Sequence, residues 1–130
     1  MVLKNVLVVD DNSELRQTVA SMLKTKFGET TNVHQAGSVE EALFLLKQEN
    51  FDLVISDLSI PGVNGDEIYS YLEQNLELQT KFILYSGDFG PIKTTDWEKK
   101  FVAVLKPDSN KLLDAIRSTG VFCDADTVRR

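Results

Sequence analysis

The stretch VLVVDDN, residues 6–12, runs four apolar residues directly into two aspartates. A continuous apolar run rich in β-branched residues is typical of a strand that is covered on both faces. The neighbouring carboxylates of Asp10 and Asp11 repel each other, and a buried carboxylate without a partner is costly. The end of this strand must therefore offer the two acids water, a cation or another partner.

Short apolar runs alternate with segments of helical periodicity along the rest of the chain. The apolar runs predict strands over residues 5–9, 32–36, 51–56, 81–85 and 101–105. A segment with helical spacing of apolar residues follows every predicted strand except the fourth. The apolar faces of these predicted helices include Leu15, Val19, Met22, Leu23, Val39, Ala42, Leu43, Leu46, Ile68, Tyr71, Leu72, Leu112, Leu113 and Ile116. This alternation predicts an α/β fold, a doubly wound parallel sheet with right-handed crossovers and helices on both faces.

The segment between the fourth and fifth strands, GDFGPIKTTDWEKK at residues 87–100, is different. It contains two glycines, a proline and two threonines, and its helical periodicity is weak. We therefore expect the fourth helix to be short or irregular. Its apolar residues Phe89, Ile92 and Trp97 are expected to pack against the core.

Local signals mark where several helices begin and end. Ser38 and Glu41 form a capping-box pattern, in which the serine caps the helix and the glutamate reaches back. Gly28 is placed to end the first helix, and either Asp108 or Ser109 to cap the last one. These signals indicate elements of ordinary globular length.

The composition argues against several classes of protein. The chain has 130 residues, a formal net charge of −6 and a pI near 4.7, which argues against a direct nucleic-acid interface. Cys123 is the single cysteine, so no internal disulfide can form. No apolar run is long enough for a membrane span or a signal sequence, and we expect a cytoplasmic protein. We predict one domain over residues 1–120, followed by a tail, residues 121–130, that frays.

Functional side chains follow several of the predicted strands. Asp10 and Asp11 follow the first strand, Asp57 the third, Ser86 the fourth and Lys106 the fifth. Open parallel sheets bind ligands beyond the carboxyl ends of their strands, so these side chains should meet at one edge. Oxygen ligands favour a hard cation such as Mg²⁺, while a lysine and a hydroxyl suit a phosphoryl group. The set predicts metal-assisted phosphoryl transfer to a carboxylate, with Asp57 as acceptor because it stands alone on the central loop.

The motif set resembles the receiver domain of two-component response regulators, of the chemotaxis-regulator type. The paired acids Asp10 and Asp11, the loop DLSIPGVNG at residues 57–65, Ser86 and the pair Lys106–Pro107 occur in the family's order and close to its spacing. The resemblance covers roughly residues 4–118. It implies a flavodoxin-like fold with a five-stranded sheet in the order 2-1-3-4-5.

The resemblance also implies roles for individual residues. Asp57 would take a phosphoryl group from a histidine kinase or a histidine phosphotransfer protein, with Lys106 and Ser86 as the other catalytic side chains. Mg²⁺, or alternatively Mn²⁺, would be held by Asp11, Asp57 and the backbone carbonyl of Ser59, with Asp10 acting mainly through water. The protein would then alter its binding to an unidentified downstream protein, as a signalling domain and not a true enzyme.

Two positions depart from the family pattern. Ala103 stands three residues before the lysine, where the family usually has Tyr or Phe, and Gly87 follows the hydroxyl in place of the usual Ala. Both lie on the face that the family normally uses for output. We therefore expect any conformational signal in residues 87–100, which contain the single tryptophan, Trp97.

Three other interpretations stay open at this point. The chain could be a phosphatase or phosphotransferase that turns over an aspartyl phosphate, although Ser59 stands where dehalogenase-type enzymes have a second aspartate. It could be a pseudo-receiver, a scaffold that acts without phosphorylation, as Ala103 would allow. It could also be the receiver part of a longer response regulator or hybrid kinase.

Overall fold

A computed structural model of the chain describes residues 4–60, 63–75 and 79–121. Pro61 and Gly62 of the predicted turn lie outside the described residues. The same is true of Cys123 and of the predicted tail beyond Val121.

The described residues form five strands and four α-helices that alternate along the chain. The strands are β1 (Asn5–Val9), β2 (Asn32–Ala36), β3 (Leu53–Ser56), β4 (Lys81–Ser86) and β5 (Val102–Leu105). The helices are α1 (Ser13–Phe27), α2 (Val39–Gln48), α3 (Asp66–Gln74) and α4 (Ser109–Ser118). All paired strands are parallel, in the order β2-β1-β3-β4-β5. The predicted fold class and strand order are confirmed.

A 3₁₀ turn at Trp97–Lys99 is the only helical structure that the structure describes between β4 and β5. The expectation of a short or irregular fourth helix is therefore confirmed. Without a crossover helix there, the residues from 87 to 100 reach β5 mainly as turns and irregular chain.

The sheet separates two apolar layers. Along β1, Leu7 and Val9 face the layer beneath α2 and α3, while Val6 and Val8 face the layer beneath α1 and α4. This alternation follows from the two-residue period of a strand. All four side chains are buried, and full burial of each contributes about 1.5–3 kcal/mol to stability.

The pairing register aligns the carboxyl ends of the inner strands. Val9, the last residue of β1, lies opposite Ser56, the last residue of β3, and Ser86 at the end of β4 lies opposite Leu105 at the end of β5. The residues that follow these strands therefore emerge at the same edge of the sheet. This alignment is what positions the candidate site.

Most helix signals hold, with small differences. The Ser38 hydroxyl accepts a hydrogen bond from the Glu41 amide at 3.0 Å, but the Glu41 carboxylate reaches back to the amide of Gly37, one residue further than a capping box requires. Asp108 caps α4 by accepting from the Lys111 amide, which decides between the two predicted caps. Gly28 ends α1 with a positive φ of 111°, a conformation that favours glycine.

Three sequence expectations were wrong in detail. β3 begins at Leu53 and β5 at Val102, later than expected, although Phe51 and Phe101 before them still pack in the core. Leu15 was expected on the buried face of α1, yet it is 43% exposed. It lies in the first turn of α1, near the edge of the sheet.

Candidate functional site

The sheet itself fixes the backbone of the candidate site. Asp10, Asp57 and Lys106 each follow directly after a strand, and each donates its backbone N–H to a neighbouring strand. These hydrogen bonds run from Asp10 to Ala36 at 3.1 Å, from Asp57 to Val9 at 2.9 Å and from Lys106 to Ser86 at 3.0 Å. The ladder therefore continues one residue past each strand, and the three side chains start from rigid positions.

Lys106 is paired with two carboxylates. Its Nζ lies 2.8 Å from Asp10 Oδ2 and 3.5 Å from Asp57 Oδ2. The side chains of Lys106, Asp10 and Asp57 are only 18%, 7% and 12% exposed, so water screens these pairs less than it would at the surface. The ammonium group thus bridges the ends of β1 and β3.

Each of the two carboxylates uses one oxygen for the backbone and turns the other to the lysine. Asp10 Oδ1 accepts from the amide of Asn12 at 2.9 Å, and Asp57 Oδ1 accepts from the amide of Leu58 at 2.8 Å. Because both oxygens of each group have a polar contact, the carboxylates are held in fixed orientations. Groups that are held in place in this way need not rearrange when a reaction takes place beside them.

Asp11 completes an acidic cluster. Carboxylate oxygens of Asp10, Asp11 and Asp57 lie within 4.8 Å of one another, and Asp11 is exposed to solvent. Three carboxylates and one ammonium leave two negative charges in formal excess. An all-oxygen donor set with excess negative charge fits a hard divalent cation such as Mg²⁺ or Mn²⁺. Ser59, predicted to add a backbone carbonyl, lies exposed two residues after Asp57.

The loop after β3 folds back against Asp57 through Gly65. A Cβ atom at Gly65 would clash with the Asp57 carbonyl oxygen, so no larger residue fits there without movement. The Gly65 amide donates to the Leu58 carbonyl at 2.9 Å, and the Ser56 hydroxyl donates to the Asp57 carbonyl at 2.8 Å. The absence of a side chain at Gly65 therefore allows the loop to pack closely against the site.

Ser86 lies at the same edge but is engaged in its own loop. Its hydroxyl is buried and donates to the Asp88 carbonyl at 3.3 Å. Gly87, which follows, has open space where a side chain would be. The structure therefore brings Asp10, Asp11, Asp57 and Lys106 into one cluster and places Ser86 on the adjoining strand end.

Arg16 is a site residue that the sequence did not single out. Its guanidinium donates to the backbone carbonyl of Asp10 at 2.8 Å and to the side-chain oxygen of Gln35 at 3.0 Å. It thus links the ends of β1 and β2 from within α1. An arginine on the polar side of a predicted helix carries no signal that would have identified this contact.

Asp66 is a second residue that sequence reasoning missed. It is the first residue of α3, where an acidic side chain is expected from the helix dipole alone. In the structure it is buried and accepts three hydrogen bonds from Lys93 and Thr94. It therefore links the start of α3 to the segment of residues 87–100.

An apolar crevice of about 330 Å³ opens beside Lys106. It lies between α1 and the start of α4, and its walls include Leu15, Met22, Tyr85 and Pro107. The Tyr85 ring is 5.9 Å from Lys106 Nζ. Burial raises the pKa of Tyr85 above its ordinary value, and the nearby lysine partly opposes that rise.

Comparison with known proteins bears on this arrangement. The family model described as the response regulator receiver domain matches residues 6–117. The cell cycle response regulator CtrA of Brucella ovis is 31% identical over 85 residues, which cover 65% of this chain and 35% of CtrA. The chain thus spans about a third of the length of the curated relatives that it matches.

Solved structures give the same result for the fold. A CheY-like receiver domain protein from Methanospirillum hungatei superposes with a TM-score of 0.77 at 23% identity, covering 91% of this chain and 94% of that one. The response regulator TrrA of Thermotoga maritima, in complex with Mg²⁺-BeF, superposes with a TM-score of 0.74 at 25% identity, covering 89% and 98%. Among the residues described, no helix has the length and apolar character needed to cross a bilayer.

Proposed function

The chain belongs to the response regulator receiver domain family, and on this premise we propose that it accepts a phosphoryl group on Asp57 and thereby changes its affinity for another protein. The observation that carries the proposal is the pairing at the sheet edge. Asp57 lies beside Lys106 at 3.5 Å and within 4.8 Å of two further carboxylates. A nucleophile, a fixed positive charge and a cation-binding set thus adjoin one another.

The reaction is a transfer between two covalent carriers. A carboxylate oxygen of Asp57 attacks phosphorus, a P–O bond forms, and the bond between phosphorus and the donor's histidine nitrogen breaks. The nitrogen leaves with the electron pair and takes up a proton. Lys106 offers positive charge to the phosphoryl oxygens, where negative charge is concentrated during transfer.

A divalent cation completes the site in this proposal. Asp11, Asp57 and the backbone carbonyl of Ser59 would hold Mg²⁺ or Mn²⁺, and Asp10 would act mainly through water. When bound, the cation offsets the negative charges of the carboxylates and of the phosphoryl group. Asp10 is already bound to Lys106 at 2.8 Å, which fits an indirect role for it.

The phosphodonor is a histidine kinase or a histidine phosphotransfer protein. We place its docking surface at the crevice beside Lys106, because exposed Leu15 offers apolar area in the same crevice as this lysine. Leu15→Asp should slow transfer from such a donor without slowing phosphorylation by acetyl phosphate. Phe44→Asp, at an exposed apolar residue of α2, is the matched control and should slow neither.

The structural response is expected in the segment of residues 87–100. Ala103 has no side-chain rotamer to change, so an aromatic switch on β5 is closed to this chain. Ser86 can still donate to a phosphoryl oxygen, and Gly87 leaves the following loop room to move. Beryllofluoride with Mg²⁺, which mimics a bound phosphoryl group, should change Trp97 fluorescence in the parent but not in Ser86→Ala.

Labelling with radioactive acetyl phosphate and Mg²⁺ tests the acceptor. The parent should take up about one phosphoryl group per chain, and Asp57→Asn should take up none, because an amide of the same shape is not a nucleophile. Asp114→Asn, an exposed carboxylate on α4, is the control and should label like the parent. Labelling of Asp57→Asn at the parent's rate would show that the acceptor is wrongly assigned.

The same measurement separates the competing functions. Continued release of inorganic phosphate at an enzyme's rate would favour a phosphatase, and no label in the parent would favour the pseudo-receiver scaffold. The acidic composition is consistent with protein partners in the cytoplasm and not with direct nucleic-acid binding. The greater length of the curated relatives fits the alternative that a receiver of this kind is one part of a longer regulator.

A further inference from the structure

Asp66 holds the middle of the segment of residues 87–100. Its Oδ2 atom accepts from the backbone amides of Lys93 and Thr94, both at 3.0 Å, and from the Thr94 hydroxyl at 2.8 Å. Hydrogen bonds to an ionised carboxylate are roughly twice as strong as those between neutral groups. One carboxylate oxygen therefore carries a three-fold attachment of this segment to α3.

Three further contacts involve residues on either side of this attachment. The Asn64 side chain donates to the Pro91 carbonyl at 2.7 Å. The Trp97 ring contacts the Phe89 ring, with the ring centroids 5.6 Å apart, and stacks on the Phe101 ring, with the centroids 5.8 Å apart. Apart from these contacts and the 3₁₀ turn, the segment has little regular structure to hold its shape. Its position thus depends on the packing of Phe89, Ile92 and Trp97 against the core and on these side-chain bonds to the start of α3.

The start of α3 is in direct contact with the phosphoacceptor. Gly65, the residue before Asp66, lies so close to Asp57 that a Cβ atom there would clash with the Asp57 carbonyl. The Gly65 amide bonds the carbonyl of Leu58, whose own amide bonds the Asp57 carboxylate. Two hydrogen bonds and the Gly65–Asp66 peptide bond therefore connect this carboxylate to the backbone of Asp66.

The segment is also tied to the site at its beginning. The Ser86 hydroxyl has a single proton, which it now donates to the Asp88 carbonyl. To donate to a phosphoryl oxygen it must give up that bond. A Ser86 hydroxyl that donates to a phosphoryl group on Asp57 would therefore give up one of the contacts at the start of the segment.

We propose that Asp66 is a latch that holds the segment of residues 87–100 on the start of α3, and that phosphorylation of Asp57 shifts this segment toward a released state. The proposal rests on the phosphoacceptor role of Asp57 argued above. Asp66 acts through the segment and does not touch the reacting atoms, so it is a positioning residue. The released segment would expose Trp97 and free the start of α3 for a partner.

The second oxygen of Asp66 explains why the latch can open. Asp66 Oδ1 is buried and has no hydrogen-bond partner in the part of the chain that the structure describes. A buried acceptor of this kind regains hydrogen bonds when water reaches it. The docked state therefore combines three bonds on one oxygen with a penalty on the other, and a modest perturbation can shift the balance.

Acrylamide quenching of Trp97 measures the docked state directly, because this is the single tryptophan. The variants are Asp66→Asn, which weakens the acceptor, and Thr94→Val, which removes only the hydroxyl donor and keeps the shape of the side chain. Glu67→Gln is the matched control, because Glu67 is exposed in the same turn of α3. Each variant is measured without additions and then with Mg²⁺ and beryllofluoride.

Without additions, the quenching constant should rise in Asp66→Asn and Thr94→Val, by roughly twofold if half of the molecules release the segment. Glu67→Gln should match the parent. With beryllofluoride, the parent's constant should rise toward that of Asp66→Asn, which should itself change little. Thr94→Val keeps the test decisive should Asp66→Asn fail to fold.

Two results would overturn the latch. One is parent-like quenching in both Asp66→Asn and Thr94→Val. The other is a decrease in the parent's quenching when beryllofluoride binds, since the segment would then be tightening. Label uptake from acetyl phosphate, followed in parallel, separates this proposal from the one on which it rests. A parent that labels at Asp57 without a change at Trp97 contradicts the latch alone, whereas a parent that takes no label contradicts the phosphoacceptor role.

Discussion

Replacing Lys106 with methionine tests the electrostatic account of the site. Methionine keeps most of the length of the side chain and removes its charge. In the metal-free protein, Asp10 and Asp57 then lose their shared cation while both remain nearly buried. The variant should be less stable without Mg²⁺, yet Mg²⁺ should stabilise it more than it stabilises the parent.

The distances give the size of the effect. At an effective dielectric constant of about 20, unit charges at 2.8 Å and 3.5 Å attract each other by about 6 and about 5 kcal/mol. Desolvation cancels much of this attraction, and removing one partner of a fully buried pair costs about 3–5 kcal/mol. Because Lys106 is 18% exposed, we expect a smaller loss in the free energy of unfolding, about 2–3 kcal/mol.

Mg²⁺ should offset part of this loss, because it should stabilise Lys106→Met more than it stabilises the parent. In the parent the ammonium of Lys106 repels a second cation at the same carboxylates, and in Lys106→Met this repulsion is absent. Each tenfold increase in Mg²⁺ affinity adds about 1.4 kcal/mol of stabilisation at concentrations well above the dissociation constant. We expect roughly one such factor, so saturating Mg²⁺ should restore about half of the lost stability.

Urea unfolding followed by far-UV circular dichroism, with and without Mg²⁺, measures both quantities. Lys111→Met, at an exposed lysine on α4, is the control and should match the parent in both conditions. Acetyl phosphate should label Lys106→Met slowly even when Mg²⁺ is saturating, because the charge offered to the phosphoryl group is gone. The reasoning is refuted if Mg²⁺ stabilises Lys106→Met no more than the parent.

Asp11→Ala should abolish most of the Mg²⁺-dependent rise in melting temperature, a stabilisation of about 1.4 kcal/mol at ten times the dissociation constant. It should also raise the metal-free melting temperature, because a repulsive charge is removed. A parent that melts independently of Mg²⁺ would contradict this. Gly65→Ala should lower the free energy of unfolding by about 1–3 kcal/mol and slow acetyl phosphate labelling, because the new Cβ atom must displace the Asp57 carbonyl. Labelling at the parent's rate would show that this contact does not position the acceptor. Since burial raises the pKa of Tyr85 above its ordinary value of 10.0, its phenol loses its proton more readily in the unfolded chain, and the free energy of unfolding should fall as pH rises above that value. Urea unfolding on both sides of that pH should show a smaller fall in Tyr85→Phe than in the parent.

The sequence predicts the fold and most of the site because both follow from strand ends. Parallel strands place their carboxyl ends at one edge, so the residues after each apolar run had to meet once the strand order was set. Asp10, Asp57 and Lys106 follow their strands without a gap, and hydrogen bonds to neighbouring strands fix them there. Little beyond the five apolar runs was needed to place them together.

Contacts made by loops and single polar side chains could not be predicted in the same way. Arg16 contacts the Asp10 carbonyl and Asp66 contacts Thr94 across 28 residues of chain, and neither has a periodic pattern. Gly65 belongs to the loop motif of residues 57–65, yet its packing partner, the Asp57 carbonyl, is visible only with the loop in place. Ser86 shows the converse, since the sequence predicts its strand end but not the loop carbonyl that holds its hydroxyl.

These two kinds of contact separate the chemistry of the site from its output. The acidic cluster and Lys106 depend on the sheet, whereas in the proposed latch the segment of residues 87–100 is held by Asp66. One oxygen of Asp66 accepts three hydrogen bonds, while the other has no partner among the described residues. An unpaired buried acceptor costs about 1–3 kcal/mol, and moving a segment from nine-tenths docked to nine-tenths released requires about 2.6 kcal/mol. The proposed latch requires a phosphoryl group on Asp57 to supply a change of that size through Ser86 and Gly65. Asp66→Asn should therefore alter the position of Trp97 without slowing the labelling of Asp57, because the charges around the acceptor do not include Asp66 and because release of the segment and phosphorylation favour each other.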